Sequence, residues 1–304
     1  MRRAGRAPAS SRGKLPAAAG PDCAAAFQRI ALDCIAGIRA HHRRACAGDA
    51  EALHQVRVAI TRLRAVVLFF EPIVVDTEWP SLKKEIGWVN DALGAARDDD
   101  VMAAHARRKQ YRVWSRGAIG EHLAERRRRD HRRLVRCLRA ARFQNLIAAL
   151  SGWVRHGRWL ARWERAVRYE PPEPLHVYGE RELNRWRKRL IRKGRHLKTL
   201  GGFRRHRLRI RAKRLRYMLE ALADIVAIRG GEKYRRLHRS ARRLQSVLGD
   251  LRDLDRFADL AALASAADDS EQGKSRPPGY RRDKDKLLRA AIEAYHSFKQ
   301  ADAG

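Results

Sequence analysis

The chain has 304 residues, 68 Lys+Arg against 34 Asp+Glu, and a formal net charge of +34. A field of that size must be neutralised when the protein is at work, polyanions are the natural candidates, and the charge argues against a small neutral metabolite as the main partner. Hydrophobic residues make up 44% of the chain, an ordinary globular share, which excludes a disordered basic tail. Arginine carries most of the charge, with 55 Arg to 13 Lys. Guanidinium grips phosphate oxygens bidentately, although a GC-rich genome accounts for part of that ratio.

In chain order, residues 1–21 carry Arg2, Arg3, Arg6, Arg12 and Lys14 among Ala, Pro and Ser, without the apolar core of a signal peptide. A disordered basic leader is expected there. From Asp22 onward apolar residues recur at three and four, as in Phe27, Ile30, Cys34, Ile35 and Ile38. The spacing predicts helices at about 24–47, 50–70, 80–93, 98–115, 121–140, 143–166, 179–199, 204–228, 232–248, 252–267 and 281–299. Pro171, Pro172 and Pro174 form the strongest break. The expected fold class is all-α. No apolar run approaches the roughly 18 residues of a membrane span, so a cytoplasmic protein with no membrane partner is expected. Cys23, Cys34, Cys46 and Cys137 lack C-x-x-C spacing and read as reduced, mostly buried small hydrophobes.

Two stretches then prove related. Residues 53–64 read LHQVRVAITRLR and residues 205–216 read RHRLRIRAKRLR. Setting His54 on His206 places Arg57 on Arg209, Arg62 on Arg214 and Arg64 on Arg216. Downstream, LGAARDDD at 93–100 matches LGDLRDLD at 248–255 at nearly the same separation. Two motifs in one order predict a duplicated helical unit. At 100° per residue, His206, Arg209, Lys213 and Arg216 share an arc of about 80°, and His54, Arg57, Thr61 and Arg64 share the corresponding one. Val56, Ile60, Leu63 and Val67 fall on another face, available to a core. Arginine forks with one imidazole per copy suit a row of phosphates. A merely solvated charged face is the plainer alternative, and the repetition with His in the same place argues against it. Neither histidine has a second ligand at i+3 or i+4, so no metal site is expected there.

Gly94 and Gly249 are expected to end a helix or to permit close backbone approach. Asp98 and Asp253 would then cap the next helix, with Asp100 and Asp255 in its first turn. Arg97 and Arg252 would pair with these carboxylates or reach the basic site. A D-x-D metal site is the sharper alternative, but the second copy keeps only Asp253 and Asp255, so capping is preferred. Lys84 and Arg239 each stand ten residues before their glycine and are expected to point the same way. The runs at 126–136 and 185–195 cover most of a helix circumference, so many of their arginines must be solvated.

The paired motifs, HxxRVxxxRLR with LGAARD and HRLRIRAKRLR with LGDLRD, resemble the CHAD domain (conserved histidine α-helical domain) over roughly residues 22–300. The resemblance implies two pseudo-symmetric antiparallel four-helix bundles around a basic central cavity, with repeats at about 22–168 and 175–300. It also implies non-catalytic binding of inorganic polyphosphate, association with polyphosphate granules in a bacterial cytoplasm, and no cofactor. Carried over position by position, it implicates His54, Arg57, Arg62 and Arg64 with His206, Arg209, Lys213, Arg214 and Arg216. Lys84 and Arg239 follow. Thr61 departs from the pattern, since a basic residue is common there, so the first copy is expected to grip phosphate less strongly. Some members carry an N-terminal triphosphatase domain; here a stand-alone binding domain is expected.

Nucleic-acid binding on the same basic surface is the alternative. Its warrant is charge, with Trp153, Trp159, Trp163 and Trp186 available for stacking, although their helical spacing assigns them to a core. Weak non-specific nucleic-acid contact and granule-associated proteins complete the expected partners. Phosphoryl transfer would need a carboxylate cage for metal. The acids read as caps and pairing partners, so no catalytic residue is expected unless Asp98, Asp100, Asp253 and Asp255 converge on one cavity.

Overall fold

Short acids placed before apolar runs set the first two helices. In the computed structural model, which describes residues 22–109, 111–112, 117–223, 231–266 and 276–301, Asp22 caps α1 (Cys23–Cys46) and Asp49 caps α2 (Ala50–Phe69). Their carboxylates accept from the Ala25 and Ala52 amides at 2.7 and 2.8 Å. Gly48, with φ 85°, turns the chain between the two helices in a region closed to most side chains.

The chain continues through α3 (Glu71–Val74), α4 (Trp79–Ala106), α5 (Ala118–Arg139), α6 (Ala141–His156) and α7 (Arg158–Tyr169). After the prolines come α8 (Leu175–Gly194), a 3-10 turn (Leu197–Thr199), α9 (Gly202–Ala223), α10 (Gly231–Ala266) and α11 (Tyr280–Gln300). No strand occurs among the described residues. The expected leader at 1–21 lies outside the described residues, as do the helix ends placed at 113–115, 224–228 and 267.

Helix α1 packs on α2, α4 on α5, α8 on α9, and α10 on both α9 and α11. Across the middle of the chain α2 meets α9 and α4 meets α10, so the motif-bearing helices are in contact. One core joins Phe27, Phe69, Phe70 and Trp159 to Tyr178, Met218 and Phe298. Tyr178 stacks on Phe70 at 5.6 Å while its hydroxyl donates to the Phe69 carbonyl at 2.8 Å. A smaller cluster of Met102, Leu123, Leu254, Phe257 and Tyr280 joins the ends of α4, α5, α10 and α11.

Two expected breaks are absent. Helix α4 runs unbroken through Gly94 and α10 through Gly249. A glycine inside a helix costs only about 1 kcal/mol, and the buried Leu93 and Ala96 or Leu248 and Leu251 outweigh it. Asp98, Asp100, Asp253 and Asp255 are therefore mid-helix, not caps. Conversely, the helix expected over 143–166 breaks at Gly157. A Cβ there would lie 2.5 Å from the Trp153 carbonyl and 2.7 Å from the Trp159 ring. Asp76 secures the break, accepting the Trp153 indole N–H at 3.1 Å and the Trp159 amide at 3.2 Å.

All four cysteines are free. Burial pushes the thiols of Cys23 and Cys34 up to about 12 and that of Cys137 to about 11, which keeps them protonated and unreactive. Among the described residues, no helix is long and apolar enough to cross a membrane.

Candidate functional site

The contact between motif helices encloses a cavity of about 430 Å³. Helix α2 contributes His54, Arg57 and Arg62, and α9 contributes Arg209, Lys213 and Arg216. Helix α4 adds Arg97 and Asp98, and α10 adds Arg252 and Asp253. Two of the three carboxylates in the wall are already engaged. Glu220 accepts from Arg216 Nη1 at 2.7 Å and His238 Nε2 at 2.9 Å, with Arg62 at 4.0 Å. Asp98 pairs with Arg252 at 3.5 Å and with Arg256. The third, Asp253, is pushed up by burial, against the pull of Arg209 and Arg252.

Arg57, Arg97, Arg209 and Lys213 have no carboxylate within 4.0 Å among the described residues. The buried Nε–H groups of Arg62 and Arg209 find no acceptor there either. Burial pushes Lys213 down to about 7, with Arg57, Arg209, Arg216 and Arg97 adding to the shift. His54 is lowered by burial and then by Arg97. Burial also lowers Arg57 and Arg209, which stay charged because guanidinium titrates far above neutral pH. The Tyr217 ring lies under Arg216 at 4.6 Å and Lys213 at 5.4 Å. A wall that suppresses the charge of its own lysine is short of negative charge.

The glycines before the RD pairs differ. A Cβ on Gly249 would stand 3.0 Å from Arg209 Nε, whereas one on Gly94 would meet nothing within 4 Å. Close approach is real in the second copy only. Gly249→Ala is expected to push the Arg209 guanidinium aside and weaken anion binding by about 1 kcal/mol, roughly fivefold. The same change raises helix propensity by about 1 kcal/mol. Gly94→Ala is expected to stabilise without changing affinity. Thermal melts and anion titration of both variants check this pair.

The remaining expected site residues lie elsewhere. His206 lines an adjoining cavity of about 420 Å³ with Arg205, Arg256 and Lys284, and Arg252 borders both. Burial, then Arg252, pushes His206 down to about 4. The stripe from His206 to Arg216 runs about 15 Å along α9 at 1.5 Å per residue, longer than one cavity. Arg64 and Arg214 do not line the cavity; Arg214 is lowered by burial and by Arg64 and Arg211 beside it. Lys84 and Arg239 are exposed, and Arg239 pairs with Glu232 at 2.7 Å. Ten residues of helix carry each about 15 Å from its glycine.

Arg97 and Arg252, which the RD motif left between pairing and the site, both reach the cavity. Glu220, Tyr217 and Gln245 also line it and carry no motif signal. The three adjacent acids of α4 diverge. Asp98 turns to α10, while Asp99 accepts from Arg126 at 2.7 Å. Asp100 accepts from Arg127 at 2.8 Å and His131 at 3.0 Å. Two arginines of the run at 126–136 are therefore paired to α4. Asp98 and Asp253 share the cavity, whereas Asp255 accepts from Tyr280 Oη at 2.6 Å and Lys284 at 2.9 Å. Among the described residues, no group of three or more His, Cys, Asp or Glu is placed to hold a metal ion.

A family model described as the CHAD domain matches residues 29–262. The crystal structure of the CHAD domain from the plant Ricinus communis is similar at 21% identity and a TM-score of 0.69, covering 96% of this chain and 97% of that one. PptA from Streptomyces chartreusis is similar at 15% identity and a TM-score of 0.64, covering 93% and 98%. At these identities the two likenesses concern the fold alone. No curated protein matches the chain.

Proposed function

The chain belongs to the CHAD domain family, and from that premise we propose that it binds inorganic polyphosphate, without catalysis, in the cavity between α2, α4, α9 and α10. The observation that carries this reading is the set of Arg57, Arg97, Arg209 and Lys213, four cations on one cavity with no carboxylate in ion-pairing reach among the described residues. Successive phosphates supply the missing negative charge. They accept charge-assisted hydrogen bonds from the arginine forks and release condensed counterions. The adjoining cavity at His206 shares Arg252 and lengthens the path for a polymer. We read the two motif copies as repeats at about 22–168 and 175–300 whose basic faces serve one site. Capture of the polymer would carry the protein to polyphosphate granules.

Lys213 makes binding depend on pH. In the free protein its ammonium loses its proton around pH 7, below its ordinary 10.5. Bound phosphate restores the charge, so binding takes up a proton, and affinity is expected to fall as pH rises above about 7. Stability of the free protein runs the other way. Between about 7 and 10.5 the unfolded chain holds a proton that the folded one has released, so stability rises with pH across that window. Lys213→Arg, charged throughout, should flatten the affinity profile measured between pH 6.5 and 9.

Competition across a salt series tests the reading, with long-chain polyphosphate, single-stranded RNA and duplex DNA matched by phosphate. Polyphosphate is expected to win by tenfold or more, about 1.4 kcal/mol, and to keep that preference at physiological salt. Equal binding of all three, lost together as salt rises, would leave only a generic polyanion binder.

A further inference from the structure

Helix α9 is basic on two sides. Arg204, Arg207 and Arg211 share a sector of about 60°, on the far side of the helix from Arg209 and Lys213. With Arg192 and Lys193 from the end of α8 they line an outer groove of about 680 Å³. The groove contains no carboxylate, and none of these five cations has one within 4.0 Å among the described residues. Arg211 is lowered by burial, then by Arg207 and Arg189, a sign that their repulsion is uncompensated. Beyond Arg211 the positive charge continues to Arg214 and Arg64.

Unlike the ring of Tyr217 in the cavity, the aromatic ring of this groove stands out in solvent. Phe203 is 72% exposed, with the Arg207 guanidinium 5.7 Å from its ring centre. The tryptophans that could have served for stacking are inside, with Trp153 and Trp159 buried and Trp163 and Trp186 packed on the core. A chain of phosphates alone has no use for an exposed phenyl ring. A strand of nucleotides does, because each base offers a π-face while its phosphate is held by a neighbouring cation. A duplex keeps its bases stacked on one another and cannot offer them.

We propose that the outer groove between α8 and α9 binds single-stranded nucleic acid, with a base on Phe203 and the flanking phosphates on Arg204, Arg207 and Arg211. It is a second site, on the opposite side of α9 from the Arg57–Arg209 cavity, with Phe203 bordering both this groove and the adjoining cavity at His206, and it stands whether or not the Arg57–Arg209 cavity takes polyphosphate. The test uses the full chain carrying Arg57→Gln and Arg209→Gln, which removes two cavity cations and leaves the groove intact. A short oligoadenylate and an inorganic polyphosphate of equal phosphate number are titrated with and without Phe203→Leu. Phe203→Leu is expected to lower oligoadenylate affinity about tenfold, the range of one base–aromatic stack, and to change polyphosphate affinity less than twofold. The melting temperature should not move, because the ring is already in water. Unchanged oligoadenylate affinity, or equal weakening of both ligands, would overturn the proposal. Either result leaves the cavity reading to be judged on polyphosphate binding by the chain with Arg57 and Arg209 intact.

Discussion

Replacing Arg57 and Arg209 together by glutamine is expected to weaken polyphosphate binding a hundredfold or more while leaving the melting temperature unchanged or raised. Hydrogen bonds to charged groups contribute about 1.5–3 kcal/mol each, so losing two costs at least about 3 kcal/mol of binding. Neither guanidinium forms an ion pair among the described residues, and each is lowered by burial among other cations. Removing them therefore breaks no pair and relieves repulsion. A second readout follows from Lys213, whose largest depressing causes after burial are these two arginines. In the double variant Lys213 should titrate closer to 10.5, moving the fall in affinity to higher pH. Neutralising the exposed Lys84 and Arg239 should change affinity less than twofold at physiological salt, where distant surface charges are screened. A collapse of the double variant's thermal stability, with affinity of the folded fraction intact, would make Arg57 and Arg209 structural residues and remove the site.

Gly157→Ala is expected to be strongly destabilising, costing about 3 kcal/mol in urea unfolding. The backbone angles at Gly157 are ordinary, with φ −61°, so the cost is steric. The added methyl would sit 2.5 Å from the Trp153 carbonyl and under 3 Å from both indole rings. Relief requires moving Trp153 or Trp159, and both are buried and tied to Asp76. At roughly 2–4 °C per kcal/mol for a domain of 150–250 residues, a fall of about 6–12 °C in melting temperature is expected. Gly94→Ala is the control, since its Cβ meets nothing within 4 Å. Equal melting temperatures for the two variants would show that the α6–α7 break does not depend on a missing side chain.

Much of the helical layout was legible because helix periodicity and short caps act within a few residues. The expected spans at 24–47, 50–70 and 281–299 differ from α1, α2 and α11 by at most one residue at each end. Glycine misled in both directions. Gly94 and Gly249 sit inside helices whose buried faces outweigh a weak local preference, while Gly157 marks a break set by two tryptophans and a distant aspartate. The candidate site was legible as a set of types and faces. His54, Arg57, Arg62, Arg209, Lys213 and Arg216 do line one cavity, while His206, Arg64, Arg214, Lys84 and Arg239 do not. A face drawn on one helix carries no information on where along its length a second helix crosses.

Sequence alone determined that this chain is helical, that it carries a large net positive charge, and that two similar motifs place arginine on the same helix face. Each follows from composition or from spacing within a few turns. Only the tertiary structure decided which cations stay uncompensated. Arg252 and Arg256 are paired by Asp98 from more than 150 positions away. Glu220 draws in Arg216 from one turn before it and His238 from the next helix. Among the described residues, Arg57, Arg97, Arg209 and Lys213 are left without such a partner. Coulomb attraction depends on separation in space and on burial, and neither quantity is written in the order of residues along the chain.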